Sequence, residues 1–143
     1  MNIVQISKTN IKSIAAFVLA NKNSCIGLVN NFKGIVSRQE IDGQYTKVII
    51  KNDAIIKVVV IDCQNDKSIG IMFYGQLDIT YNDLVELLGK GDEYHERYDN
   101  TVEFVFRDVS DVRYNIKCFV LSDEMKKDGW QNEQLGNVAI HLM

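Results

Sequence analysis

Proline is absent from this chain, where ordinary usage of ~5% would supply about seven. Its absence excludes Pro-rich linkers and docking segments, and it removes prolyl isomerisation as a slow folding step. Long apolar runs are missing too. No stretch approaches the roughly 20 residues needed to span a bilayer, so no membrane association is expected. The opening Met1-Asn2-Ile3-Val4-Gln5 lacks the basic and apolar regions of a secretion signal. Cytoplasmic residence is the resulting expectation. Arginine is scarce at 4 residues against 12 lysines, and the bases of the first half (Lys8, Lys12, Lys22, Lys33, Arg38, Lys47, Lys51, Lys57, Lys67) are dispersed without an aromatic stacking motif. That pattern disfavours nucleic acid as a partner. Gly89-Lys90-Gly91 ends a predicted helix instead of opening one, so its amides form no phosphate cradle. Cysteine is limited to Cys25, Cys63 and Cys118, an odd number, far apart in sequence and set among apolar neighbours. The expectation is three buried, reduced thiols acting as small hydrophobes.

What is present is a single-domain length, 143 residues with 46% hydrophobic content, enough to bury a sizeable core without metal or disulfide. Ile11, Ile14, Ala15, Val18 and Leu19 fall on one helical stripe, with Thr9 or Asn10 as N-cap. A second helix is predicted over 24–32, closed by Gly34. Strands are predicted over 35–41 and 44–51, joined by Asp42-Gly43 as a type I′ hairpin turn. The run from Ile55 to Cys63 is apolar on both alternating faces, the pattern of a central strand covered on both sides. Gln64-Asn65-Asp66-Lys67 turns the chain into a strand ending at Tyr74. Thr80 to Asp83 forms a capping box opening a short helix that Gly89 closes. Strands follow around 94–98, 102–106, 112–120 and 138–142. The whole predicts one α+β domain over residues 1–143, with a largely antiparallel sheet, N-terminal helices and one short central helix.

Charge is the most informative feature. Residues 78–111 hold ten carboxylates against three bases, a local net charge of −7 in a chain whose total is −3. Gathered like charge costs folding energy through self-repulsion and often meets a partner of opposite sign. Tyrosines 81, 94 and 98 are interleaved with the acids, and tyrosine suits interface hot spots. Asp92, Glu93, Tyr94, Glu96, Tyr98, Asp99, Asp108 and Asp111 are the candidate partner-binding residues. A metal site is not expected, because Gly91 to Glu96 lacks both calcium-loop spacing and convergent His/Cys spacing. Neither His95 nor His141 has a nucleophile context, and no cofactor motif is present. Trp130, in a polar loop, is a lid over the core edge or a binding candidate.

Thr80 to Phe106, a capped helix ending Leu87-Leu88-Gly89-Lys90, an acidic turn and the aromatic strand Val102 to Phe106, resembles small bacterial α+β proteins. These include immunity proteins of contact-dependent and other polymorphic toxin systems. The resemblance covers about a quarter of the chain and transfers no individual residue. It implies a cytosolic, non-enzymatic inhibitor that caps a basic toxin domain, often a nuclease. The expectation is therefore a protein-binding inhibitor using an acidic surface. The alternative is a small-ligand-binding or hydrolytic domain with carboxylates inside a pocket, and a deep apolar pocket holding buried acids would favour it.

Overall fold

The computed structural model describes residues 3–95 and 99–143. In chain order the elements are α1 (Ile11–Ala20), α2 (Cys25–Val29), β1 (Ile35–Asp42), β2 (Tyr45–Lys51), β3 (Ile56–Gln64), β4 (Lys67–Gly75), α3 (Tyr81–Leu88), β5 (Asp92–His95), β6 (Thr101–Arg107), β7 (Tyr114–Leu121) and β8 (Asn137–Leu142). The strands form one antiparallel eight-stranded sheet in the order β1-β2-β3-β4-β8-β7-β6-β5. Two four-stranded meanders thus meet back to back at β4 and β8. The α+β expectation holds in its coarse form, with the sheet dominant and helices placed before each meander.

Register assigns the two faces. One buries Val48 and Ile50 of β2, Val59 and Ile61 of β3, Phe73 of β4, Ile140 of β8, Ile116 of β7 and Phe104 of β6 in a single apolar cluster. The stripe of α1 joins that cluster, as do Leu28 of α2 and Leu84 of α3. On the other face Ile49, Val60, Met72 and Ala139 form a cross-strand apolar row. The two-sided covering expected of β3 is not what forms. Its outward Val58 and Val60 stay only part-buried, shielded by sheet neighbours, as antiparallel sheets tolerate.

Several local expectations shift. Asn10 occupies the N-cap of α1, but its side chain accepts from Ser7 N–H (2.8 Å) and donates to the Gln5 carbonyl (2.8 Å), tying down the entering chain. Helix α2 stops at Val29, short of Phe32, whose ring instead meets Phe73 at 6.0 Å. Gly34 is no helix stop. At φ 147° it passes so close to β2 that a Cβ would lie 2.4 Å from the Lys51 carbonyl oxygen. The type I′ turn falls at Asn65 (φ 52°) and Asp66 (φ 63°), joining β3 to β4. At the Asp42-Gly43 hairpin a bulge follows Glu40, and the Asp42 carboxylate accepts from the Gln44 and Tyr45 amides at 3.0 Å each.

The cysteine expectation is overturned for two of the three residues. Cys25 and Cys63 form a disulfide with Cα atoms 6.4 Å apart, pinning α2 to β3 across 38 residues. The same junction is tied by Cys25 N–H to the Asp66 carbonyl (3.1 Å) and Ser68 N–H to the Lys22 carbonyl (2.7 Å). Cys118 alone is a free thiol, and burial pushes it up to about 12.

Titration of the unreduced protein is expected to find no reactive thiol when native and one in denaturant, rising to three after reduction. Closing a loop of 38 residues restricts the unfolded chain by about 3–4 kcal/mol. Reduction or Cys63→Ala should lower unfolding stability by that amount, and three titratable thiols without reductant would refute the pairing.

Candidate functional site

The nine described carboxylates of 78–111 do not form one acidic surface, because folding distributes bases among them. Lys8 reaches Glu86 at 2.5 Å, Lys117 crosses from β7 to Glu103 at 3.3 Å, and Arg113 grips Asp111 through Nε (2.8 Å) and Nη2 (2.6 Å). Asp92 pairs with Arg107 on the neighbouring strand. Asp83 completes the capping box with Thr80. The turn into β6 is held by Asp99, which accepts from Thr101 N–H (3.2 Å) and Oγ1 (2.7 Å). Three of the neutralising bases, Lys8, Arg113 and Lys117, lie outside the segment. Charge concentrated in sequence is therefore largely cancelled in space.

Asp108 is the clearest departure from the expected docking set. It is buried at 5% exposure, with Tyr114 OH donating to it at 2.8 Å, Ser110 N–H at 3.0 Å and Ser110 Oγ at 2.5 Å. Lys12 of α1 stands 3.4 Å away. Burial alone would raise its pKa, but the bonds from Ser110, Tyr114 and Lys12 outweigh that and hold it at about 2. Burial, then the Asp108 hydrogen bond, push the Tyr114 phenol up. This carboxylate locks the β6–β7 turn to α1, and it is not free to meet a partner. Asp111 is likewise engaged by Arg113.

Asp92, Glu93 and Tyr94 of the expected set lie at the sheet edge. β5 is the terminal strand and all four of its residues are exposed. Asp92 and Tyr94 stand on the open face opposite Val105 and Glu103, while Glu93 and His95 stand on the helix-bearing side. Tyr94 is 48% exposed. Among the described residues Glu93 makes one ion pair, with His95 at 3.6 Å, and that only when the imidazole is protonated. Glu96 and Tyr98 fall outside the described residues. Tyr81 is not a surface anchor. Its ring packs on Phe104 (4.9 Å), Phe106 (5.7 Å) and Trp130 (4.9 Å), and Trp130 stacks on Phe104 at 5.8 Å. The loop tryptophan is thus a lid over the core edge.

Under that lid lies a feature not legible in the charge pattern. The β7–β8 ladder ends at Lys117 and Ala139. Beyond it the Asn137 side chain takes the place of a strand, accepting from Phe119 N–H and donating to the Phe119 carbonyl at 2.8 Å each. β8 stays with β4 through Tyr74 and Asn137, so β7 and β8 diverge. The gap is a cleft of about 310 Å³ lined by Phe119, Leu121, Trp130, Leu135, Glu124 and Glu133, among others. A second cavity of about 130 Å³, between Ile3, Phe32, Ile50 and Val59, carries no carboxylate. Among the described residues, no three His, Cys, Asp or Glu side chains gather closely enough to hold a metal ion.

No protein-family model matches the chain, and no curated protein is significantly similar to it. A solved structure, an extracellular protein containing an SCP domain from Bacillus anthracis, is similar in fold with a TM-score of 0.52 and 10% sequence identity. The likeness covers 87% of this chain and 45% of that one, so this chain spans under half the length of the protein it matches. At that identity the likeness concerns the fold alone.

The Asp108 lock makes a signed prediction. Its folded pKa of about 2 lies below the ~3.9 of a free aspartate, so its contribution is present above pH ~4 and lost as pH falls through 2. A shift of that size is worth roughly 2 kcal/mol. Acid unfolding followed by circular dichroism should show this loss in the native protein. Asp108→Asn should be less stable at neutral pH and flatter between pH 4 and 2. An unchanged acid limb would show that Asp108 contributes nothing.

Proposed function

We propose that the protein is a non-enzymatic binding module that docks a basic protein through the β5 end of its sheet. The observation that carries this reading is the free β5 edge. All four of its residues are exposed, it presents Tyr94 as amphipathic contact area, and among the described residues no lysine or arginine is committed to its Glu93. Neutralisation of a toxin domain, as by the immunity proteins that the capped-helix segment resembles, is the specific form of this reading. The apolar cavity near Phe32 has no acid and the acids of the β7–β8 cleft, Glu124 and Glu133, are not buried, and the only buried acid among the described residues, Asp108, is spent on structure. Both points support binding over pocket hydrolysis.

The compartment belongs to the same proposal. Disulfides persist where the environment is oxidising and are rare in the cytosol. The Cys25–Cys63 bond therefore favours a protein that meets its partner outside the reducing cytosol, in place of the cytoplasmic residence expected from the sequence. Acid-quenching cells and alkylating free thiols in denaturant should label one cysteine per chain, the buried Cys118. Three would return the protein to the cytosol.

The partner to try first is the product of the adjacent gene, co-expressed and measured for complex formation and for suppression of its toxicity. Association should slow as ionic strength rises, because the Debye length contracts from about 10 Å at 0.1 M to about 3 Å at 1 M. Glu93→Lys should leave the fold within about 0.5 kcal/mol of the parent and slow association further. An association rate indifferent both to salt and to this reversal would sink the electrostatic docking.

A further inference from the structure

The gap between β7 and β8 is a strand position left open. In the β6–β7 ladder, main-chain groups alternate between the two sides. Phe119 turns its N–H and C=O toward β8, where Asn137 satisfies them, while Ser122 N–H turns the other way to the Asn100 carbonyl at 2.7 Å. Leu121, two residues beyond Phe119, therefore turns its N–H and C=O toward the cleft. Among the described residues no main-chain group of the loop over 122–136 meets them. Its side chain is 53% exposed.

The walls of this gap carry a chemistry of their own. Glu124 is already held by Lys127 at 3.0 Å, whereas Glu133 makes no ion pair among the described residues. Trp130 lines the same space. At about 310 Å³ the cleft lies at the lower end of the ~300–1,000 Å³ range of ligand pockets, room for one residue and its peptide groups. We infer that this cleft receives an arginine in an extended segment of the basic partner, its main chain pairing with Leu121 and its guanidinium meeting Glu133 beside Trp130. Arginine fits because its planar fork serves a carboxylate and an aromatic surface together. An added strand supplies the main-chain bonds that β8 withholds. The inference rests on the docking reading for the nature of the partner, and it names the contact that reading lacks.

Trp130 is the only tryptophan in the chain, so its emission reads the cleft directly. The full-length protein would be titrated with the blocked tripeptide acetyl-Gly-Arg-Gly-amide, with its citrulline counterpart, and with a version N-methylated at the arginine amide. The arginine peptide should change the emission saturably. Citrulline in the peptide, or Glu133→Gln in the protein, should each weaken binding about tenfold or more, the loss typical of a charge-assisted hydrogen bond. N-methylation should weaken it as well, and the melting temperature of the variant should match the parent. Equal affinity for the arginine and citrulline peptides, or indifference to Glu133→Gln, overturns the inference. If the peptides are silent while Glu93→Lys still slows the basic partner, the cleft falls and the docking reading stands. If the peptides bind through Glu133 while salt and Glu93→Lys leave the partner untouched, the docking reading falls and the cleft remains a site for arginine.

Discussion

Each meander of this protein could pair its own strands, but neither could bury its apolar face alone. Antiparallel pairing of β4 with β8, from Gly70 opposite His141 to Tyr74 opposite Asn137, joins them into one sheet. Phe73 and Ile140 then lie within one core that runs from Val48 to Phe104. Gly70 eases this seam, because a Cβ there would press on the Ile140 carbonyl oxygen at 3.2 Å. The paired residues of β4 and β8, such as Gly70 and His141, lie far apart in sequence, and such long-range pairing is entropically slow to form. The cleft is a consequence of the same seam. Asn137 keeps its main chain on β4 and spends its side chain on β7, so one residue both helps join the two meanders and holds β7 off β8.

What was legible in the sequence was local. The α1 stripe, the Thr80–Asp83 capping box and the alternating strands around Phe104 and Ile116 depend on neighbours within a few residues. What was not legible depends on register between distant strands. Cys25 and Cys63 become bonding partners only once α2 lies on β3. The carboxylate of Asp108 reads as one more surface acid until Tyr114 and Lys12 converge on it. Asparagine at 137 has no sequence signature for a strand wedge, because its role is defined by where Phe119 arrives. Even the two-residue hairpin signal misled. Asp42-Gly43 has the favoured composition, but the bulge after Glu40 changes the geometry, while the true type I′ turn falls on Asn65-Asp66.

Sheet edges offer main-chain groups to any passing strand, and this fold blunts both of them. β1 carries Arg38 and Glu40 and is bent by its bulge, while β5 is only four residues long and bears two carboxylates. The open face is blunted differently. Its apolar row of Ile49, Val60, Met72 and Ala139 is flanked by the Lys47–Asp62 and Lys117–Glu103 pairs, and cross-strand neighbours shield it from water. β3 is apolar on both faces because one meets helices and the other meets only its neighbours in the sheet.

The electrostatic picture changes scale as a result. A net charge of −3 spread over the molecule gives only weak long-range attraction, and at physiological ionic strength exposed charges farther apart than about 8 Å are largely screened. Most acids of the 78–111 segment are answered by a base or a hydrogen-bond donor within a few ångströms, so they contribute little beyond their own pair. In the proposed docking, recognition by charge falls to the few carboxylates that, among the described residues, are left without a lysine or arginine at positions where a partner also finds apolar contact. Glu93 beside the exposed β5 edge and Glu133 beside Trp130 meet that condition, and Asp108 and Asp111 do not. The docking surface so proposed is smaller than the acidic run in the sequence, and part of it lies outside that run altogether.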